Sequence, residues 1–166
     1  MKTAGEFYKV SESRFISDAE AAGFSDAKAA YQKIVLPKRA TRGSAGYDFF
    51  LPFHLELKAG DSVIVPTGVC AKINDGFALF IFPKSGLGFN FRLQLDNTVG
   101  IVDTDYFFAD NEGHIMIKIG NNSREGKTLS LAAGKGFAQG VFLPFGITES
   151  DDAKAPRRGG FGSTEV

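Results

Sequence analysis

From Ile34 onward the chain alternates short apolar runs with Gly, Pro and Asp: KIVLP, YDFFLP, SVIVPTGVCAKI, FALFIFP, HIMIKIG, KTLSL and QGVFLPF. Runs of this length with turn residues between them predict an all-β sandwich or barrel. In GHIMIKIGN the period of two is clearest, with Ile115, Ile117 and Ile119 on one face and His114, Met116 and Lys118 on the other. Residues 17–33, SDAEAAGFSDAKAAYQK, replace β-branched residues with Ala, acids and Lys, and Ser17 to Glu20 spells a capping box. Gly23 interrupts this segment and Ser25 with Asp26 offers a second start, so two short helices or one kinked helix are predicted, packed on the β domain. The last stretch, ESDDAKAPRRGGFGSTEV, is polar and cannot bury much surface, which predicts a mobile arm. The expected organisation is a single β domain over residues 1–150 and an arm over residues 151–166.

Composition sharpens this in three ways. At 166 residues, with 43% hydrophobic and 23% charged positions, the chain suits one soluble domain with a real core. Seventeen Phe and no Trp predict a core rich in phenylalanine. Nineteen basic residues balance nineteen acidic ones, so no global field selects nucleic acid or an anionic membrane, and anion binding must be local. The single cysteine, Cys70, excludes an intrachain disulfide framework and reads as a buried structural thiol. Neither a signal-peptide core in MKTAGEFYKVSESRF nor a run of about 20 apolar residues is present, so secretion and membrane insertion are not expected, and a cytoplasmic setting is.

Four loops and the arm carry the candidate chemistry. PKSGLG, residues 83–88, offers Lys84, Ser85 and two glycines that let successive N–H groups converge on an anion; its plainer reading is a strand-ending turn. GSAGYD ends in Asp48, suited to a metal, a metal-bound water or local turn bonds. In NTVGIVDTDY, Asp103 and Asp105 would share one face of an extended chain, a costly pairing without a cation, a donor or solvent to compensate. An acid held beside a phosphate ester can accept a proton from attacking water. GKGFAQGVF brings Gln139 to a strand start, and RRGGFGST combines Arg157 and Arg158 for phosphate with Phe161 for stacking on a base. His54 and His114 stand apart without metal-ligand spacing, and no nucleophile elbow, Walker loop or dinucleotide fingerprint occurs. Together the loops suit a nucleoside polyphosphate bound with magnesium.

In their order along the chain, AGYDFF (45–50), PKSGLG (83–88), NTVGIVDTDY (97–106), GKGFAQGVF (134–142) and RRGGFGST (157–164) resemble the five blocks of the trimeric dUTP pyrophosphatases, the dUTPases. The resemblance implies a distorted jelly-roll barrel in a homotrimer whose three active sites lie between subunits, each closed by a neighbour's arm. It implies hydrolysis of dUTP to dUMP and pyrophosphate, with Mg2+ on the triphosphate. By position, Asp103 would activate water for attack on the α-phosphorus. Tyr106 would stack beneath the deoxyribose and exclude a 2′-hydroxyl. Asn97 with nearby backbone, Gly100 included, would read uracil. Lys84, Ser85, Gly86 and Gln139 would hold phosphates, and Asp48 would act on the metal through its water shell. Phe161, Gly162 and Ser163 would close over the substrate while Arg157 or Arg158 clamps the γ-phosphate.

Five features depart from the family pattern, one of them in the arm, which has fewer residues than usual between its arginines and Phe161 and ends STEV where a glycine commonly follows the threonine. The fourth block reads GKG, at Lys135 and Gly136, where the family has GDR; Lys84 stands where Arg is common; FFADNEG lengthens the hairpin after Tyr106; and the helical segment is an insertion after the first strand. Two alternatives stay open within the fold: a dCTP deaminase, alone or bifunctional, and a module that binds a partner protein.

Overall fold

The computed structural model describes residues 2–153. The residues expected in the arm from 154 onward, Arg157, Arg158, Phe161, Gly162 and Ser163 among them, lie outside the described residues.

The architecture is mostly antiparallel β, as the turn-punctuated pattern predicts. The strand Gly5–Lys9 (β1) pairs with Val69–Ile73 (β6), separated from it by the helices Glu12–Ala21 (α1) and Ala27–Gln32 (α2). The largest sheet has the order β2 (Lys38–Arg39), β3 (Tyr47–Phe50), β12 (Gly136–Pro144), β7 (Phe77–Pro83), β9 (Gly100–Val102). A second sheet places β10 (Met116–Asn121) between β5 (Ser62–Pro66) and β8 (Leu93–Leu95), and β4 (Leu55–Leu57) pairs with β11 (Leu129–Leu131). Strands distant in sequence thus become neighbours, β12 inserting between β3 and β7, which is the connectivity of a jelly-roll-like fold.

The period-two reading of β10 holds in part. Ile115, Ile117 and Ile119 are buried and Lys118 is exposed. His114, assigned to the outer face, is instead fully buried just ahead of the strand, because α1 covers it. Phenylalanine fills the centre: Phe15, Phe49 and Phe137 are among the largest fully buried side chains, and Phe7 meets Phe49 edge to face at 5.7 Å. Phe89, Phe108 and Phe145 are exposed, so not every phenylalanine serves the core. Cys70 is buried, and desolvation pushes its thiol up to about 11, as a structural cysteine requires.

The helical segment forms two helices but begins earlier than predicted. Its N-cap is Ser11, whose Oγ accepts from the Arg14 N–H at 3.2 Å, so Ser17 lies inside α1 and its capping box does not form. No acid stands at the N3 position to complete a box. Glu112 supplies one from the far side of the sequence, accepting from the Ser11 N–H and Oγ, each at 2.7 Å. Gly23, at φ +85°, ends α1, with the Phe24 N–H returning to the Ala19 carbonyl. Asp26 occupies the N-cap of α2 in a left-handed conformation and makes no side-chain cap bond there. Phe15 and Ala19, one turn apart, are the buried residues of α1, and Phe15 and Phe24 stack on Phe53 of the β domain.

His114 makes this docking sensitive to acid. Its Nε2 accepts from the Gly68 N–H at 2.8 Å, which requires the neutral ring, and Nδ1 lies 2.6 Å from Asp18 Oδ2 on α1. Burial pushes its pKa below the ordinary 6.5, only partly opposed by Asp18; Arg14 pushes the same way as burial, and Glu112 opposes it. The unfolded chain therefore binds a proton near pH 6.5 that the folded chain takes up only at lower pH. Stability from this site is complete above that value and is lost as the pH falls below it. The urea midpoint should decline between pH 7 and pH 5, before the exposed carboxylates titrate; a flat profile there would contradict a neutral, buried His114.

Candidate active site

The expected phosphate-binding residues meet at one corner of the large sheet. The β3–β12 register places Asp48 opposite Gln139, and the β12–β7 register brings Pro83 beside Ala138. Lys84, just past β7, donates its backbone N–H to the Phe137 carbonyl and stretches its side chain to Asp48, with Nζ 2.8 Å from Oδ2. Both side chains are partly buried, so the pair is worth about 1 kcal/mol. Gly136, where the family pattern has a longer residue, makes room for it: a Cβ there would lie 3.2 Å from Lys84 Cδ. Gln139 turns its amide inward, Nε2 reaching the Pro83 carbonyl at 3.4 Å, and Gly46 leaves space for its Oε1.

PKSGLG is not the free glycine loop expected. Ser85 opens a short helix, Ser85–Phe91 (α3), with Lys84 at its N-cap and Ser85 and Gly86 exposed. The dipeptide Ser85–Gly86 is therefore its first helical turn rather than a nest of irregular backbone.

Asn97 and Gly100 line a separate pocket. The turn between β8 and β9 passes through Thr98, at φ +65°, whose N–H donates to the Leu95 carbonyl at 2.9 Å. Beneath it lies a cavity of about 460 Å³ walled by Ile64, Ile81, Leu95, Met116 and Ile117. Its size and apolar lining with few polar groups suit a planar heterocycle. The sequence pointed to Asn97 and Gly100 but not to Ile64, Ile81 or Met116, which come from three other strands, nor to the Lys118–Asp96 ion pair at 2.8 Å on the rim.

Asp103 follows β9 in an extended conformation and caps a 3-10 turn, Thr104–Phe108. The two aspartates do not share a face of a strand: β9 ends at Val102, and Asp105 is already in the turn. Both are exposed. Tyr106 is 2% exposed, its hydroxyl donating to the His114 carbonyl at 2.7 Å and accepting from Asn111 Nδ2 at 2.8 Å. It is anchored inside the domain, where an open stacking face was expected.

The two groups of residues sit at opposite ends of β7. Antiparallel pairing sets Val102 opposite Leu79, so Asp103 lies near the start of β7, whereas Lys84 follows its end. Six residues of extended chain, from Ala78 to Lys84, separate the two levels by about 20 Å.

A sequence model of the dUTPase family matches residues 32–165. Among curated proteins, the chain is 37% identical over 134 residues to the deoxyuridine 5'-triphosphate nucleotidohydrolase of Lactococcus lactis, covering 79% of this chain and 88% of that protein. It is likewise 37% identical over 139 residues to the same enzyme of Pectobacterium carotovorum, covering 79% and 87%. The crystal structure of dUTPase from Streptococcus mutans superposes with a TM-score of 0.66 at 34% identity, over 87% of this chain and 98% of that one. That of dUTPase from phage phi11 of S. aureus, 20% identical, shares the fold, with a TM-score of 0.61 over 75% and 92%.

Proposed function

The chain belongs to the dUTPase family, and on that premise we propose that it hydrolyses dUTP to dUMP and pyrophosphate in active sites built by more than one chain of a homotrimer. The observation that supports shared sites is the span of β7. Asp103 and the Lys84 corner are about 20 Å apart in one chain, a span that favours a second chain bringing its corner to the first chain's Asp103. Exposed Phe89 and Ile101 give such contacts apolar surface.

In this reading uracil enters the cavity beneath the β8–β9 turn, with Asn97 and the backbone at Gly100 meeting its polar edge. Asp103 accepts a proton from water as the water oxygen bonds to the α-phosphorus and the bond to the bridging oxygen breaks, releasing pyrophosphate. Lys84, Ser85, Gly86 and Gln139 hold the phosphates, and Lys84 then exchanges some of its contact with Asp48 for phosphate oxygens. Tyr106 contributes through the fixed position of its turn, against which a 2′-hydroxyl would be excluded. Arg157, Arg158, Phe161, Gly162 and Ser163 supply the closing arm.

No cluster of three or more metal-ligating side chains occurs among the described residues, and Asp48 is already paired with Lys84. This donor set fits Mg2+ carried by the triphosphate, with Asp48 acting through water. The metal would neutralise phosphate charge.

Parallel assays with Mg2+ on dUTP, dTTP, dCTP and UTP, resolved by chromatography, test the proposal. The expected result is dUMP from dUTP alone, with light scattering giving three times the 17.9 kDa chain mass. Consumption of dCTP would favour the deaminase, and a monomer that turns over dUTP would refute shared sites.

A further inference from the structure

The helices α1 and α2 lie almost wholly before the family match, which begins at residue 32, and FFADNEG lengthens the segment after Tyr106. The structure joins these two additions. Ser11 donates twice to Glu112, Arg14 Nη2 donates to the Asp110 carbonyl at 3.2 Å, and Asp18 meets the His114 ring at 2.6 Å. One face of α1 thus grips three of the five residues 110–114.

That segment is fastened in turn to the 3-10 turn. The His114 carbonyl accepts from the Tyr106 hydroxyl, and Asn111 Nδ2 donates to that hydroxyl's oxygen. Gly113, at φ +64°, packs so closely that a Cβ would lie 2.8 Å from both the Tyr106 carbonyl oxygen and Phe107 Cα. On its other side the His114 ring is fixed by the Gly68 N–H, so its orientation is set by two partners, one of them on α1.

We propose that α1 is a positioning clamp for the reaction: Ser11, Arg14 and Asp18 hold residues 110–114, which through the His114 carbonyl and the Tyr106 hydroxyl fix the turn that Asp103 caps. The proposal rests on the reading of Asp103 as the base. Asp18 and Glu112 are positioning residues and touch no substrate. A docked helix that only added stability would leave the chemical step unchanged in the folded enzyme.

The test measures kcat and KM for dUTP with the full-length enzyme, at a temperature where circular dichroism shows each variant folded. Asp18→Ala should lower kcat about tenfold with KM within about twofold, since a small misplacement of the base slows chemistry without weakening binding. Asp18→Asn, which keeps an acceptor for the His114 N–H, should restore kcat to within about twofold of the unmodified enzyme. Glu112→Ala, at an exposed position, should lower kcat about threefold and serves as the test if Asp18→Ala does not fold. A kcat within twofold of the unmodified enzyme in every folded alanine variant overturns the clamp, whatever the change in Tm. So does a fall in Asp18→Ala that Asp18→Asn fails to restore. Asp103→Asn run alongside separates the two failures: an inactive Asp103→Asn with an unaffected Asp18→Ala removes the clamp alone, and an active Asp103→Asn removes the reading beneath it.

Discussion

Asp103→Asn should lower dUTP turnover by about a hundredfold to ten-thousandfold, the range a positioned general base contributes, and leave the affinity for a non-hydrolysable dUTP analogue nearly unchanged. The substitution is a narrow one. Asn matches Asp in size, and it is as good a residue as Asp at the start of a helical turn, which is where Asp103 stands. What it removes is the carboxylate's capacity to take a proton from water. Isothermal titration with the analogue reports whether the pocket under the β8–β9 turn still binds, and steady-state release of pyrophosphate reports the chemistry. Loss of both would mean that Asp103 shapes the site rather than acts in it. Retention of both would move the base elsewhere, Asp105 being exposed two residues further on.

The sequence marks the end of the strand that starts at Gly100 as a candidate for chemistry because acids there have no core to fill, yet the geometry was not legible. The pattern gave two carboxylates on one face of a strand, but the chain leaves the sheet at Val102 and turns, because Tyr106 is drawn inward to the His114 carbonyl. The pull comes from a residue eight positions away whose burial depends on α1, and no local periodicity carries that information. The start of α1 was hidden for the same reason. Ser11 lacks an acid three residues on, and the acid that completes its cap stands 101 residues away. Strand positions, by contrast, follow from alternation and turn residues within a few positions, and six of the seven runs contain a strand; KIVLP is the exception, its apolar residues running irregularly ahead of β2, and the three-residue strands β4 and β8 are too short to show an alternation. The candidate pocket falls between these cases: Asn97 and Gly100 lie in or beside a recognisable turn, and the apolar walls from β5, β7 and β10 appear only once the sheets are folded.

The span of β7 leads to the second large effect. Lys84→Ala should lower turnover about a hundredfold, the cost of removing one charged donor from a developing phosphate charge. Asp103→Asn chains keep Lys84, and Lys84→Ala chains keep Asp103. If each site takes Asp103 from one chain and Lys84 from another, trimers assembled from an equal mixture, by co-expression or by refolding together, contain sites in which both residues are intact. Random assembly makes about one site in four complete, so the mixture should recover about a quarter of the unmodified activity although each variant alone is nearly inactive. If both residues served the same site from a single chain, no arrangement of the two variants would bring an intact pair together, and the mixture would stay at the level of its components. Recovery near a quarter would thus measure, through kinetics alone, the separation that the β7–β9 register imposes within one chain.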